Sequence, residues 1–137
     1  MPEATVAAII VRQVNAHVEV LLTLRETHPF RGYWCIPGGH IDKGESAEHA
    51  IEREVQEETH LTFSGTFYHY FDEVFPELDV HNVALVFAGK ASGILATKTE
   101  EVSACKWVQI DEAVNMELAF EHNRVLVSYI RQKLCVE

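Results

Sequence analysis

The sequence has little cysteine and no close cysteine pair. Its three cysteines, Cys35, Cys105 and Cys135, are widely spaced, and no CxxC pattern occurs. A disulfide framework needs several cysteines at regular spacings, and a structural zinc site needs closely spaced ligands. The sequence therefore favours neither and is typical of a protein from the reducing cytoplasm.

The sequence also has no long hydrophobic run. The apolar stretch near the start follows Glu3 and stops at Arg12, so it is too short to span a membrane and lacks the basic segment of a signal peptide. We therefore expect no membrane partner. A length of 137 residues with 47% hydrophobic content fits one domain, covering residues 1–137, with a core of its own.

Positive charge is scarce. Eleven Lys and Arg stand against 21 Asp and Glu, for a net charge of −10. A nucleic-acid binder takes much of its affinity from basic surface, so we expect no nucleic-acid partner. An anionic substrate would need local positive charge, which Arg25, Arg31 and Lys43 could supply around residues 39–61. The alternative is that these are ordinary solvated charges.

The apolar pattern predicts a mixed sheet with helices against its faces. Strands are predicted over residues 4–12, 18–25, 33–36, 66–75, 81–89 and 103–110. Helices are predicted over residues 46–59, 111–118 and 120–134. Asn15 is the predicted turn residue between the first two strands. This combination indicates a fold of α/β or α+β type.

The predicted helix at 46–59 carries three glutamates on one patch. Glu54, Glu57 and Glu58 stand at i, i+3 and i+4, so each like-charged pair costs about 0.2–0.5 kcal/mol in an isolated helix. A divalent cation would turn this repulsion into attraction, and carboxylate oxygens suit Mg²⁺ or Mn²⁺. The alternative is a solvated acidic helix face without a ligand.

The residues around these glutamates follow a defined spacing, G-x5-E-x7-R-E-U-x-E-E, where U is aliphatic. It is satisfied by Gly39, Glu45, Arg53, Glu54, Val55, Glu57 and Glu58. The stretch resembles the signature of the Nudix hydrolases, the superfamily of MutT-like enzymes, whose final x-G-U corresponds to Thr59, His60 and Leu61. His60 replaces a glycine there. Because glycine adopts positive φ more readily, we expect the helix end to be strained or differently shaped.

The resemblance implies the Nudix fold, an α/β/α sandwich with a mixed sheet between helices. It implies a pyrophosphohydrolase that cleaves the P–O–P bond of a nucleoside diphosphate linked to a group X, with Mg²⁺, or alternatively Mn²⁺, as cofactor. By position it implies that the metal ligands are Glu54, Glu57, Glu58 and the carbonyl of Gly38. Arg53 and Glu45 would form an ion pair that orients the loop containing Gly39 against the helix.

The general base is left open by the sequence. The resembling family often takes its base from a glutamate outside the helix, and Glu100 and Glu101 are the candidates here. Glu54 or Glu57 is the alternative base. A further interpretation is that residues 97–101 form an exposed acidic loop.

The substrate is indicated only weakly. Pro76 lies fifteen residues after Leu61, a placement that resembles the ADP-ribose and sugar-nucleotide branch, and residues 118–122 resemble a segment of that branch. Arg25, Arg31 and Pro76 are therefore the candidate substrate-binding residues. Residues 37–46 and 81–87 equally resemble nucleoside triphosphate pyrophosphatases, so a MutT-like activity is the alternative. A nucleotide sensor without turnover is a third interpretation, and the family implies frequent homodimers.

Other polar side chains have two interpretations. His69, His81 and His122 could contact phosphate or ribose, or could be ordinary hydrogen-bonding residues. Cys35 has no motif partner, so it is predicted to be a small buried hydrophobic residue and not a nucleophile.

Overall fold

The computed structural model describes residues 1–96 and 101–134. Its strands are β1 (Glu3–Val14), β2 (His17–Arg25), β3 (Trp34–Cys35), β4 (Gly38–His40), β5 (Thr62–Phe75), β6 (Val80–Ser92) and β7 (Val102–Gln109). Its helices are α1 (Ala47–Thr59), α2 (Ile110–Ala113) and α3 (His122–Tyr129). Single helical turns cover Pro76–Leu78, Ala119–Glu121 and Ile130–Leu134.

Strand β1 organises the mixed sheet. It runs parallel to β6, and the other edge is shared between two antiparallel partners. Residues 5–7 of β1 pair with β4, whereas residues 11–14 pair with β2. The connection between β3 and β4 is held to β1 by Ala8, whose amide donates to the carbonyl of Pro37 at 2.8 Å. The sheet therefore places the glycine-containing segment directly beside its central strand.

The sheet lies between two hydrophobic layers. Side chains of β1 alternate between them, with Ile9 facing one layer and Ile10 the other. The first layer is closed by α2 and α3 and the second by α1, as the expected sandwich requires. Both isoleucines are fully buried, and each stabilises the fold by about 1.5–3 kcal/mol relative to exposure.

The structure corrects several predicted boundaries. Strand β4 lies where the sequence predicted only loop, because Gly38 lets the chain come so close to β1 that a Cβ would lie 2.2 Å from the Val6 carbonyl oxygen. The helix predicted over 111–118 spans only Ile110–Ala113. The C-terminal helix begins at His122 and not at Phe120, since Phe120 and Glu121 have φ of 55° and 57°.

The remaining elements agree with the sequence patterns. The first hairpin turns at Asn15, which has φ of 56°. Strands β5 and β6 are longer than predicted and pair along their whole length. Glu100 and Cys135 lie outside the described residues. No helix in the described ranges is both long and apolar enough to span a membrane.

Candidate active site

Helix α1 presents the acidic residues because both of its ends are determined locally. The Ser46 hydroxyl accepts a hydrogen bond from the His49 amide at 3.1 Å and caps the N-terminus. At the other end His60 adopts φ of 65°, and its amide donates to the Gln56 carbonyl. The residue that replaces the motif glycine therefore takes the left-handed conformation that glycine would favour.

The inward face of α1 contains carboxylates as well as apolar side chains. Ile51 and Val55 are buried against the sheet, and Glu54 and Glu58 belong to the same stripe because they follow at helical spacing. Only 7% of Glu54 and 6% of Glu58 is exposed. Packing of the apolar residues therefore places both acids inside the protein.

The two buried carboxylates pack against the glycine-containing segment. The Gly38 amide donates to Glu58 Oε1 at 3.3 Å. A Cβ on Gly39 would lie 2.3 Å from Glu54 Oε2, so the glycine leaves room for that carboxylate. Burial, followed by electrostatic interactions with Cys35 and Glu54, raises the pKa of Glu58. Burial also raises the pKa of Glu54 to about 7, although Arg53 opposes the shift. Both carboxylates thus lie where a cation would be stabilising.

Arg53 connects the loop to the helix, as the motif predicted. Its Nε and Nη2 donate to the two oxygens of Glu45 at 2.8 and 3.0 Å, and Nη2 also donates to the His40 carbonyl at 3.1 Å. The hydrogen bonds from Arg53 and from the Asp42 amide lower the pKa of Glu45 to about 2. The same contacts raise the pKa of Arg53. The predicted ion pair is therefore confirmed as a two-pronged contact.

The remaining terminal nitrogen of the Arg53 guanidinium, Nη1, contacts carboxylates of the helix. Nη1 donates to Glu54 Oε2 at 3.2 Å and to Glu57 Oε1 at 3.1 Å. Glu57 differs from its neighbours, since 53% of its side chain is exposed. Arg53 thus reduces the repulsion among the acids while leaving Glu57 accessible to solvent.

A cavity of about 670 Å³ opens beside these residues. Its lining includes residues of β1, β2, β4, β5, β6 and α1, together with the start of α3. The acidic lining residues from the predicted site are Glu54, Glu57, Glu58 and Glu101. Glu101 itself is an exposed residue whose charge raises the pKa of both buried glutamates, so it lies within electrostatic range of them.

The predicted substrate-binding residues are placed differently from one another. Arg25 lines the cavity, but its Nε donates to the Pro29 carbonyl at 2.8 Å and its guanidinium lies 4.9 Å from the centre of the Phe120 ring. Arg31 and Pro76 are exposed and do not belong to the described lining of the cavity. Of these three residues, the structure brings only Arg25 to the cavity.

Sequence reasoning missed a buried polar group in the same cavity. Glu73 is only 6% exposed and faces His122, which is 5% exposed. The available signal was alternation in β5, because Glu73 lies between Phe71 and Phe75 on one side of the strand. The sequence predicts either a phosphate or ribose contact or an ordinary hydrogen-bonding role for His122, and neither prediction names Glu73 as its partner. Cys35 is buried, as predicted.

The donor set fits a hard divalent cation. No three His, Cys, Asp or Glu side chains within residues 1–96 and 101–134 already converge as a complete metal cage. Mg²⁺ does not need one, since it usually takes one or two protein carboxylates and completes its shell with water and substrate phosphates. Two desolvated carboxylates that face a cavity and carry raised pKa values provide such a partial site.

Comparison with known proteins gives the family. The family model described as NUDIX domain matches residues 1–129. The ADP-ribose pyrophosphatase of Methanocaldococcus jannaschii is 27% identical over 122 residues, which cover 84% of this chain and 68% of that protein. The matched segments span only 14, 37 and 43% of three further curated relatives.

Solved structures share the fold. The NUDIX domain of Shewanella oneidensis NrtR, crystallised with ADP ribose, has a TM-score of 0.85 at 25% identity and covers 98% of this chain and 89% of its own. A MutT NUDIX hydrolase from Burkholderia pseudomallei has a TM-score of 0.80 at 26% identity, with coverage of 93% and 97%. A family match of this extent, supported by these folds, makes the chain a member of the Nudix hydrolase family.

Proposed function

We propose that the protein is an Mg²⁺-dependent pyrophosphohydrolase that cleaves the P–O–P bond of a nucleoside diphosphate linked to a group X. The observation that carries this proposal is the placement of Glu54 and Glu58. Both are buried, and both face a cavity large enough for a nucleotide. Burial disfavours the charged form of both carboxylates, and the contacts with Arg53 and the Gly38 amide offset this only in part, so a cationic ligand would stabilise them.

The residues of the site have separate roles in this proposal. Glu54, Glu57 and Glu58 would hold the cation, and the carbonyl of Gly38 would be a further ligand. When bound, Mg²⁺ would offset the charge on the phosphates and act as a Lewis acid. Arg53 keeps the glycine segment and the helix in register through its contacts with His40 and the acids.

Glu101 is the proposed general base. Glu101 lines the cavity and is exposed, so its carboxylate would have access to a water molecule beside a bound substrate. The water oxygen attacks a phosphorus of the anhydride, the proton passes to Glu101, and the bridging P–O bond breaks to release two phosphate products. Glu54 or Glu57 is the alternative base.

The favoured substrates are ADP-ribose and nucleotide sugars. This choice is supported by the similarity to an ADP-ribose pyrophosphatase and to a NUDIX domain crystallised with ADP ribose. The similarity to a MutT NUDIX hydrolase supports nucleoside triphosphates as the second candidate class. A third candidate is a sensor that binds a nucleotide without turnover. Its support is the similarity to the NrtR NUDIX domain that was crystallised with ADP ribose.

Hydrolysis of a substrate panel with Mg²⁺ tests the proposal. ADP-ribose, sugar nucleotides, dinucleoside polyphosphates and nucleoside triphosphates are compared by product analysis, so that the cleaved bond is identified. Glu57→Gln is expected to lower kcat/KM by about 100-fold or more, because loss of a residue that merely supports a metal ligand already costs about 10–100-fold.

Glu52→Gln is the matched control, since Glu52 is an exposed glutamate of the same helix. It should retain the activity of the original protein. Tight binding of ADP-ribose without product would favour the sensor and contradict the proposed hydrolysis. Preferential release of pyrophosphate from triphosphates would replace the favoured substrate class with the MutT-like one.

A further inference from the structure

A chain of polar contacts lies in the same cavity as the proposed metal site. The His122 Nε2 atom lies 3.5 Å from Glu73 Oε2, and on the opposite side of the ring Nδ1 accepts a hydrogen bond from the Ile36 amide at 3.2 Å. The other oxygen of Glu73 accepts from Asn82 Nδ2 at 3.1 Å. The chain thus links β5 and β6 to the segment between β3 and β4 through one imidazole.

The contacts determine the tautomer of His122. An Nδ1 atom that accepts from the Ile36 amide carries no proton, so the proton of the neutral ring lies on Nε2 and faces Glu73. A second proton on Nδ1 would leave no acceptor for the Ile36 amide, so the observed contact belongs to the neutral ring. Glu73 therefore orients the ring, and the ring holds Ile36.

Ile36 begins the glycine-containing segment that contacts the two buried carboxylates. The next residue, Pro37, has no amide hydrogen to donate, and its carbonyl accepts a hydrogen bond from the Ala8 amide of β1. Gly38 then donates to Glu58, and Gly39 lies against Glu54. A shift at Ile36 would therefore be transmitted over two or three residues to the groups that contact both buried acids.

We propose that His122 is a positioning residue for the metal site, acting through the Ile36 amide on the segment that contacts Glu54 and Glu58. This inference rests on the proposed function. His122 does not itself contact either acid in this arrangement. It restrains the backbone against which they pack, in the way that residues outside a metal shell orient the ligands.

Two amide replacements separate this role from general stability. His122→Asn retains an acceptor near the position of Nδ1 and loses the contact with Glu73, whereas His122→Gln places its amide near Nε2 and loses the contact with Ile36. His122→Phe removes both. Val125→Ala is the control, because Val125 is a buried apolar residue of the same helix with no part in the polar chain.

The measurement is Mn²⁺ affinity of the intact protein without substrate, followed by EPR of the free ion, with Tm recorded for each variant. We expect His122→Gln and His122→Phe to weaken Mn²⁺ binding by roughly 10–100-fold and His122→Asn to stay within about threefold of the original protein. Val125→Ala should lower Tm and leave Mn²⁺ affinity unchanged.

Equal Mn²⁺ affinity in all four variants, with losses in Tm alone, would overturn the inference and leave His122 a structural residue. Equal weakening by Asn and Gln would also overturn it, since the Ile36 contact would then not matter. Because the readout needs no turnover, Mn²⁺ binding in the expected order without hydrolysis of any nucleotide would contradict the proposed function alone. Absence of Mn²⁺ binding by the original protein would contradict both.

Discussion

At the scale of single residues, the determining arrangement is a pair of glutamates packed against a pair of glycines. Glu58 accepts a hydrogen bond from Gly38, and Glu54 occupies space that only Gly39 leaves open. Burial alone would disfavour both charges, and Arg53 offsets this only in part, since the pKa of Glu54 remains raised to about 7. The residues are therefore arranged for a ligand of opposite charge.

Replacing Gly39 by alanine tests this arrangement. The new Cβ would lie 2.3 Å from Glu54 Oε2, so the carboxylate must move. We expect Mn²⁺ affinity and kcat/KM to fall by roughly 10–100-fold, as for other changes that misplace a ligand. Titration with Mn²⁺ and steady-state kinetics measure the two quantities.

Gly44→Ala is the control for that replacement. Gly44 has φ of 84°, and a Cβ there would meet no atom within 4 Å. Strain at positive φ should reduce the free energy of unfolding by about 1 kcal/mol without weakening Mn²⁺ binding. Equal Mn²⁺ affinities for the two variants would show that Gly39 does not position Glu54.

At the scale of elements, α1 combines a favourable start with a strained end. Ser46 caps the first turn, whereas His60 ends the helix in the left-handed region where a residue with a Cβ is disfavoured. The sequence predicted strain or a different shape at this position. The structure has the left-handed end that a glycine would adopt, so the departure from the motif changes the conformational cost and not the path of the chain.

His60→Gly should stabilise the protein. Relief of the left-handed conformation exceeds the extra entropy that glycine loses on folding, and the expected gain in the free energy of unfolding is about 0.5–1 kcal/mol. Urea denaturation measures it. Catalytic activity should not change, because His60 is exposed and follows the last carboxylate.

The comparison variant is His60→Ala, which keeps a Cβ at the same φ. It should show no gain in stability. A gain as large as that of His60→Gly would mean that removal of the imidazole, and not relief of φ, is responsible.

At the scale of the whole molecule, the net negative charge affects how an anionic ligand would enter the cavity. Under the proposed function, a chain with a net charge of −10 would attract an anionic nucleotide against its own charge, and a bound cation would supply the local positive potential. The cation would also bind the folded state in preference to the unfolded chain, since the carboxylates converge only after α1 packs on the sheet. Homodimer formation, a single domain over residues 1–137 and a cytoplasmic location stay predictions.

Mg²⁺ should therefore raise the Tm, and a chelator should reverse the effect. At Mg²⁺ tenfold above its Kd the folded state gains about 1.4 kcal/mol. For a domain of this size we expect Tm to rise by roughly 3–6 °C. Differential scanning calorimetry with Mg²⁺ and with EDTA measures the change.

Sodium chloride at matched ionic strength is the control for screening of the net negative charge. The excess effect of Mg²⁺ should shrink in Glu57→Gln. An identical rise in Tm with both salts would mean that screening of the net charge causes the effect. The support for a specific cation site would then be lost.

The sequence by itself determined the family, the helix with its three acids and the Arg53–Glu45 pair. These features depend on the spacing of residues along one helix and its preceding loop. Local periodicity and the motif reveal that spacing without knowledge of the tertiary structure. Tertiary structure alone decided that Arg25 reaches the cavity while Arg31 and Pro76 do not, and that Glu73, His122 and Ile36 form one chain. Those residues are distant in sequence, and only the packing of the sheet and α3 brings them together.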